Sequence, residues 1–329
     1  MKNSKKFILL ALSLIFLLTL TACGGGEESS VEEGHGSELE GAVIVDGSGT
    51  VYPLMANIAE EYMTKEASGV SVQVGRAGSS AGFKKFIPGE IDFSDASRKI
   101  KDEEISQLEE NGLVFDEDVM EIKLAYDGLT MVINKNNDWA VEMTEEEIIN
   151  MYLSGTYNSD DVVLWSDIRS DWPAEEVHFY GPNENHGTFE FFYEVILDEQ
   201  DIVKTANLQQ EYSTLVDLVA NDEYAIAFFG YGYYASNTDK LQAVNIDFGN
   251  GPVEPALETI GEDLPYAGFT RLVYTYLNLN YAKEKPQVLD YAMYVVSPEG
   301  AEKLAGENGF APLPSDMYAE YYNQLEAIK

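Results

Sequence analysis

Three short segments of the sequence combine glycine with hydroxyl side chains in turns that join a predicted strand to a predicted helix. They are GSGTV at 47–51, GSSAG at 78–82 and HGTF at 186–189. The first N–H groups of a helix have no intrahelical partner and carry partial positive charge, so they bind anions, and hydroxyls add neutral donors. One such turn is usually only a helix cap. Three in one chain predict that together they surround a small tetrahedral oxyanion.

The second turn also admits a catalytic interpretation. Its sequence fits the pattern G-x-S-x-G, with Ser80 as the nucleophile of a serine hydrolase, and it lies between a predicted strand and helix as that motif requires. Asp127 with either His178 or His186 would complete a triad in the order Ser, Asp, His. A serine hydrolase or phosphatase that uses Ser80 is therefore an alternative function, although it leaves the other two turns unexplained.

The elements that must position these turns alternate between strands and helices. Short apolar or alternating segments before each turn predict strands, and Leu54, Ile58 and Tyr62 share one face of a predicted helix. This alternation predicts an α/β fold class. Two longer strand patterns, at 121–134 and 271–279, are long enough to cross between two domains, and the length of 329 residues allows two.

The chain is strongly acidic, with 58 Asp and Glu residues against 20 Lys and Arg and a formal net charge of −38. This balance argues against nucleic acid as a partner and against binding to an anionic membrane surface. An anion is repelled at long range by such a chain, so its capture must depend on fixed donors that act at contact. No HExxH, CxxC or calcium-loop pattern occurs, and we expect neither a metal site nor a cofactor.

The N-terminus has the features of a secretory signal. Lysines at 2, 5 and 6 precede an apolar run at 7–20, which is too short for a stop-transfer helix. The run ends in LTAC, which resembles the bacterial lipoprotein box, so we expect residues 1–22 to be a lipoprotein signal peptide and Cys23 to carry a diacyl lipid and palmitate. A plain secretory signal with an unrelated cysteine is the alternative. Residues 23–40, rich in Gly, Glu and Ser, are predicted to be a flexible tether.

Six segments between residues 41 and 310 form a further pattern. They are DGSGTVYP at 46–53, GSSAGFKKF at 78–86, GEIDFSDASR at 89–98, AYDGLT at 125–130, YGP at 180–182 with GTF at 187–189, and FGY at 229–231. In this order they resemble the phosphate-specific substrate-binding proteins of bacterial phosphate ABC transporters. The chain is similar to that family over most of its length.

The resemblance implies a two-lobed type II periplasmic-binding-protein clamshell with two crossover strands. Lobe 1 would comprise residues 41–126 plus 268–329, and lobe 2 residues 127–267. It also implies a monomer that faces outside the cytoplasm, is anchored to the cell membrane through lipid on Cys23, and performs no enzymatic step. Such a protein captures inorganic phosphate between its lobes and delivers it to ABC permease subunits.

By position, the resemblance places phosphate-binding groups in the first two turns. Thr50 and the amide of Val51, with Ser48 as a further candidate, would contact phosphate oxygens from the first turn. Ser79, with Ser80, would do so from the second turn.

Asp95 matches the family's acceptor for the proton on hydrogen phosphate. Sulfate has no such proton at neutral pH, so a buried carboxylate at this position would disfavour sulfate by roughly 10³-fold or more. This argument favours phosphate over fully deprotonated oxyanions. A binder of another oxyanion, such as sulfate or molybdate, and a surface sensor on the same fold remain alternatives.

The third turn departs from the family pattern. Gly187 and Thr188 match, but His186 stands where a serine is common, and Pro182 stands where many members have an arginine. Either the His186 ring donates to the anion in a proton-dependent way, or amides alone hold that oxygen. Arg98 is the candidate substitute for the missing cation, with a salt bridge away from the ligand as its alternative role.

Overall fold

The computed structural model describes residues 39–184 and 186–329. The predicted signal peptide, the lipidation site Cys23 and all but the last two residues of the predicted tether lie outside the described residues. Among the helices of the described part, none has both the length and the apolar composition that a bilayer span requires.

Strands of the described residues form two sheets. They are β1 (Gly41–Gly47), β2 (Val70–Val74), β3 (Phe93–Ala96), β4 (Val119–Asn134), β5 (Glu142–Thr144), β6 (His178–Pro182), β7 (Asn207–Gln209), β8 (Ala225–Gly230), β9 (Leu241–Ala243), β10 (Asn245–Asp247), β11 (Pro252–Val253) and β12 (Thr270–Asn278). The larger sheet has nine strands in the order β2-β1-β3-β12-β4-β8-β6-β7, with β9 paired to β4, and the smaller has three in the order β11-β10-β5.

Helices connect and cover these strands. They are α1 (Tyr52–Lys65), α2 (Ser79–Phe86), α3 (Asp102–Glu110), α4 (Glu145–Tyr152), α5 (Trp165–Ile168), α6 (Gly187–Phe191), α7 (Tyr212–Ala220), α8 (Tyr231–Ala235), α9 (Leu279–Glu284), α10 (Pro286–Val295), α11 (Ala301–Glu307) and α12 (Ser315–Glu326). A π-helical turn at Phe192–Ile196 continues α6, and a 3-10 turn spans Ala267–Phe269. Because β1 pairs in parallel with β2 and β3 across helical connections, the predicted α/β class is confirmed.

Helix α1 illustrates how local sequence sets these elements. Pro53 stands in the first turn, where its missing N–H removes no intrahelical bond. Leu54, Ile58 and Tyr62 are buried, as their helical spacing predicts, and they pack into the core beneath the sheet. The helix is thereby fixed with its N-terminus directly after the first glycine-rich turn.

Both predicted crossing strands are confirmed. Strand β4 is 16 residues long and pairs with β12 over its first part and with β8 over residues 129–133. Strand β12 pairs antiparallel with both β3 and β4. Two antiparallel strands therefore run through the middle of the large sheet and join its two ends.

Apolar side chains form separate cores on the two sides of this crossing. One core takes residues from within 43–125 and 272–325, and a second takes residues from within 129–269 together with Ala311. In the second core, Phe228 stacks on Phe192 with ring centroids 4.2 Å apart. Phe229 is buried in a smaller neighbouring cluster, so the start of the aromatic segment 228–234 packs inside the protein. The arrangement is that of a two-lobed type II fold.

Gly232 and Gly309 make a close backbone contact between α8 and the segment that follows α11. A Cβ atom on Gly309 would lie 2.0 Å from the Cα atom of Gly232, and Gly309 has a φ of +79°. No larger residue fits at this position without moving one backbone away from the other.

We expect Gly309→Ala to lower the free energy of unfolding by roughly 2 kcal/mol more than a matched glycine substitution. Gly112 is the control, because its φ is +81° but nothing lies within 4 Å of a Cβ built there. Both variants should lose about 1–2 kcal/mol from the left-handed backbone, and only G309A should also suffer from overlap. Urea unfolding of both variants measures the difference, and equal losses would contradict the contact.

Candidate anion-binding site

The structure brings the three glycine-rich turns to one place. The hydroxyl oxygens of Ser79 and Ser97 lie 3.3 Å apart, and the amide of Ser97 donates to Ser79 Oγ at 3.2 Å. A Cβ atom on Gly187 would lie 2.0 Å from Thr50 Oγ1 and 3.1 Å from Ser97 Oγ. Turns from both lobes therefore face one another across a narrow gap, and glycine at 187 is what lets them approach.

The side chain of Ser48 fixes the backbone conformation of the first turn. The amide of Thr50 donates to Ser48 Oγ at 3.2 Å, and the amide of Ser48 donates to the carbonyl of Asp95 at 2.8 Å. Val51 is fully buried in the lobe 1 core. Ser48 therefore shapes the turn, whereas Thr50 is the residue whose hydroxyl faces the third turn.

The second turn leads directly into its helix. Helix α2 begins at Ser79, which is buried, and the close fit of Gly82 against Gly47 sets the helix directly on the end of β1. Ser80 points the other way, and its hydroxyl accepts a hydrogen bond from Arg98 Nη2 at 3.0 Å. Of the two serines, Ser79 contacts Ser97, which lies beside Gly187 of the third turn, whereas Ser80 contacts Arg98.

The third turn is fixed by Tyr212. The Tyr212 hydroxyl donates to Thr188 Oγ1 at 2.9 Å, and its ring stacks on Tyr233 with centroids 3.8 Å apart. The edge of the His186 ring meets Tyr212, and His186 Nε2 donates to the carbonyl of Gln210 at 2.8 Å. With Nε2 occupied in this way, only Nδ1 of His186 is left to face a ligand, and it can donate only in the imidazolium form.

The cation beside the turns is Arg271, not Arg98. Arg271 donates from Nε and Nη2 to Asp127 Oδ2 at 3.1 and 3.0 Å, and its Nη2 lies 3.5 Å from Thr50 Oγ1. Arg98 donates from both terminal nitrogens to Glu104 at 2.8 Å, which is the salt-bridge alternative. The sequence analysis missed Arg271 as a site residue, although the chain has only four arginines and this one begins a crossing strand.

Asp127 is a buried carboxylate at the same point. Its side chain is 6% exposed, and burial raises its pKa while the Arg271 guanidinium opposes that increase. It borders a cavity of about 510 Å³ that is also lined by Thr50, Gly187 and Thr188. The cavity therefore begins at the meeting point of the first and third turns.

Asp95, which the sequence analysis assigned to the proton of phosphate, faces the lobe 1 core. Side chains alternate along β3, so Asp95 shares the face of Phe93, whose ring meets Tyr291 of α10 at a centroid distance of 5.5 Å. Asp95 is fully buried, and neither carboxylate oxygen has a well-aligned hydrogen-bond partner among the described residues, although the Thr275 hydroxyl is close enough to lower the pKa of Asp95. Ser97, two positions later, contacts Ser79, and the role of Asp95 toward the proton of phosphate stays a prediction.

The hydrolase alternative lacks a catalytic geometry. His178 Nδ1 is 2.7 Å from Asp222 Oδ2, and His186 Nε2 bonds to the Gln210 carbonyl. Asp127 is paired with Arg271. Within the described residues, neither histidine nor Asp127 is hydrogen-bonded to Ser80, whose hydroxyl accepts from Arg98.

Comparisons with known proteins agree with this architecture. The family model described as the PBP superfamily domain matches residues 31–307. The phosphate-binding protein PstS of Staphylococcus saprophyticus is 37% identical over 312 residues, which cover 94% of this chain and 91% of that protein. The chain belongs to the PstS family of phosphate-binding proteins.

Solved structures show the same fold. A possible phosphate-binding protein from Planctomyces limnophilus superposes with a TM-score of 0.68 at 32% identity, covering 88% of this chain and 99% of that one. An ABC-type phosphate transport receptor from Vibrio cholerae gives a TM-score of 0.65 at 20% identity, covering 83% and 100%. The two-lobed type II fold is therefore common to this PstS-family chain and its structural neighbours.

The buried Asp95 predicts a stability that depends on pH. Burial raises the pKa of Asp95 to about 8 even though the Thr275 hydroxyl lowers it, and Asp46 adds a smaller increase, whereas an exposed aspartate has a pKa of about 4. Folding therefore takes up a proton between these values, and stability falls as the pH rises from about 4 to about 8. Asp95→Asn should be more stable than wild type by on the order of a few kcal/mol near pH 9, with little gain near pH 4.

Urea unfolding of Asp95→Asn and wild type at acidic and alkaline pH measures this effect. Asp92 is the matched control, because it is equally buried but accepts from Lys285 and from the amide of Ile44 at 2.8 Å each. Asp92→Asn should lower stability. A D95N variant without a gain near pH 9 would show that the carboxylate is satisfied in solution.

Proposed function

We propose that this protein captures inorganic phosphate outside the cytoplasm and delivers it to the permease of an ABC transporter. The observation that carries the proposal is the meeting of the first and third glycine-rich turns beside Arg271, with the second turn joined to them through Ser97, in the cleft of a chain that belongs to the PstS family. Its relative from Staphylococcus saprophyticus is a phosphate-binding protein, and its structural neighbour from Vibrio cholerae is an ABC-type phosphate transport receptor, which supports phosphate as the ligand and transport as the function.

The proposed ligand surroundings consist of fixed donors from both lobes. Hydroxyls of Thr50, Ser79, Ser97 and Thr188 would contact phosphate oxygens, together with amides at the helix starts after each turn, including those of Val51 and Gly187. Arg271 would supply the charge. Because Arg271 also packs over the ring of Phe191 at 4.8 Å, it needs little reorganisation to bind.

Four residues from the sequence-based set act on the turns and not on the anion in this proposal. Ser48 shapes the first turn, Ser80 and Arg98 tie the second turn to Glu104, and His186 is anchored to the Gln210 carbonyl. Arg271 replaces Arg98 as the ligand-binding cation.

The proposed lobes are residues 41–126 plus 268–329 and residues 127–267. The separate cores support this division, because each core draws its residues almost wholly from one of the two sets. Opening and closing would be a hinge motion at the two crossing strands.

The proposal includes a monomer that carries out no enzymatic step and is held at the outer face of the cell membrane by lipid on Cys23. The lipoprotein-like LTAC sequence and the predicted tether at 23–40 support the anchor. A tether of this composition would let the binding domain reach a permease in the same membrane.

Calorimetric titration with phosphate, sulfate and arsenate tests the function. Phosphate and arsenate should both bind, because both are protonated tetrahedral anions, and sulfate should bind far more weakly. Absence of phosphate binding would overturn the proposal, and release of phosphate from a phosphomonoester by the purified protein would favour the hydrolase.

Arg271→Gln should weaken phosphate binding by about 100-fold, because it removes charge-assisted hydrogen bonds inside a buried cleft. Arg98→Gln is the matched control and should change affinity by no more than about threefold, since Arg98 is paired with Glu104. Circular dichroism of both variants shows whether they fold. A larger loss in R98Q than in R271Q would return the cation role to Arg98.

A further inference from the structure

The cavity that begins at the turns is larger than a phosphate ion requires. Its volume is about 510 Å³. A tetrahedral oxyanion displaces on the order of three waters, at about 30 Å³ each. Thr50, Gly187 and Thr188 form one end of the cavity, and its lining continues from them to α8 and to the last residues of α11. Pockets of roughly 300–1,000 Å³ hold organic ligands, so there is room here for a second chemical group.

The lobes already touch at two places on the wall of this cavity. A Cβ atom on Gly187 would lie 2.0 Å from Thr50 Oγ1, and one on Gly309 would lie 2.0 Å from the Cα atom of Gly232. Gly187 and Gly232 belong to the proposed lobe 2, and their neighbours Thr50 and Gly309 belong to the proposed lobe 1. All four line the cavity, so further closure is blocked on its own wall and the space persists in the closed form.

Helix termini give the two ends of the cavity opposite polarity. Helices α1 and α6 begin at the first and third turns, beside Thr50 and Thr188. Helices α8 and α11 instead end at the cavity wall, where Ala235 and Glu307 are their last residues. A helix start carries partial positive charge and a helix end partial negative charge. The end at the turns therefore favours an anion, and the end at α8 and α11 favours a cation.

Side chains at the α8 and α11 end offer acceptors to a ligand. Ser236, Asn237 and Asn308 each donate to the backbone carbonyl four residues earlier, at 2.8–2.9 Å. The side-chain oxygens of these three residues, like the carboxylate of Glu307, accept no hydrogen bond from any described residue. All four residues line the cavity. A group that donates hydrogen bonds or carries positive charge is what this end can bind.

Positive charge from the protein is scarce at the same end. The described residues that line the cavity include no lysine or arginine. His186 lines it, but its Nε2 donates to the carbonyl of Gln210 at 2.8 Å. Arg76 lies over the ring of Tyr52 at 5.7 Å and is outside the lining. Glu307 thus faces the cavity without an ion-pair partner among the described residues.

An aromatic surface completes the wall. Tyr212 and Tyr233 both line the cavity and stack with ring centroids 3.8 Å apart. Tyr233 is 45% exposed although one face of its ring lies on Tyr212, so the other face is open to a ligand. Ring faces attract cations, and quaternary ammonium groups in particular.

We propose that the α8 and α11 end of the cavity binds the cationic group of a small zwitterionic phosphate ester or phosphonate, whose anionic group occupies the phosphate site. This inference rests on the proposed function, because the same turns and Arg271 would hold the anionic group. The cation would lie on the open face of Tyr233 with Glu307 beside it. The protein would thus take up organic as well as inorganic phosphorus compounds.

Two ligands of the same shape isolate the contribution of the cation. Phosphocholine carries a quaternary ammonium group, and 3,3-dimethylbutyl phosphate has a carbon atom in place of that nitrogen. Calorimetric titration of wild type should show phosphocholine binding at least about 10-fold more tightly than its uncharged isostere, because the aromatic face and the carboxylate both favour the ammonium group. Equal affinities, or no binding of phosphocholine, would overturn the inference.

Glu307→Gln tests whether the preference arises in the cavity. It should lower the preference for phosphocholine over the isostere by about threefold and leave phosphate affinity within about twofold of wild type. Asp239→Asn is the matched control, because Asp239 is an exposed carboxylate just after α8 that does not line the cavity. It should keep the wild-type preference. An equal loss in D239N and E307Q would assign the effect to net charge and contradict a role of the cavity.

The outcomes separate the two proposals. If wild type does not bind phosphate, the proposed function fails, and this inference fails with it. If wild type binds phosphate but binds phosphocholine no better than the isostere, only the inference about the cavity fails.

Discussion

The register between the two crossing strands is the constraint on which the site depends. In the antiparallel pairing of β4 with β12, Arg271 lies directly opposite Asp127. This pairing places a guanidinium and a carboxylate side by side at the point where the chain passes between lobes. A shift of one residue would turn either side chain to the other face of the sheet and separate the pair. The cation of the site is thus set by backbone pairing between residues that are 144 positions apart.

Because the chain is strongly acidic, Arg271 can serve a ligand only if its carboxylate partner does not occupy all of its donors. With a net charge of −38, the surface offers an arginine many carboxylates as partners, and three of the four arginines have a carboxylate salt-bridge partner within the described residues. Arg98 and Arg169 donate two bonds each to a glutamate, through both of its oxygens. Arg271 instead donates to a single oxygen of its partner. An arginine held in this way keeps donor capacity for a ligand, and its burial protects the interaction from screening by salt.

Local sequence patterns predicted the parts of the site that local structure determines. The three turns, both crossing strands and the α/β class follow from glycine, hydroxyl and apolar periodicity, and the structure contains all of them. That Asp95 faces the core of lobe 1 could not be predicted, because a strand end cannot be read to within one or two residues, and such a shift turns a side chain from one face of the sheet to the other. Arg271 and Tyr212 act through contacts with residues far away in sequence, and no periodicity within one segment reveals such contacts.

The position of the ion pair also bears on how closure and binding are coupled. Asp127 and Arg271 lie on the strands about which the lobes would rotate, where displacement is least, so the pair can persist in open and closed forms. Thr188 and Gly187 lie on the far lobe and would arrive only on closure, carried by α6 and held in orientation by Tyr212. An anion would then bind Arg271 in the open form and contact Gly187 and Thr188 of the third turn only after closure. On this reasoning, the energy of closure comes from hydroxyls and amides of the third turn, while the charge at the hinge is the same in both states.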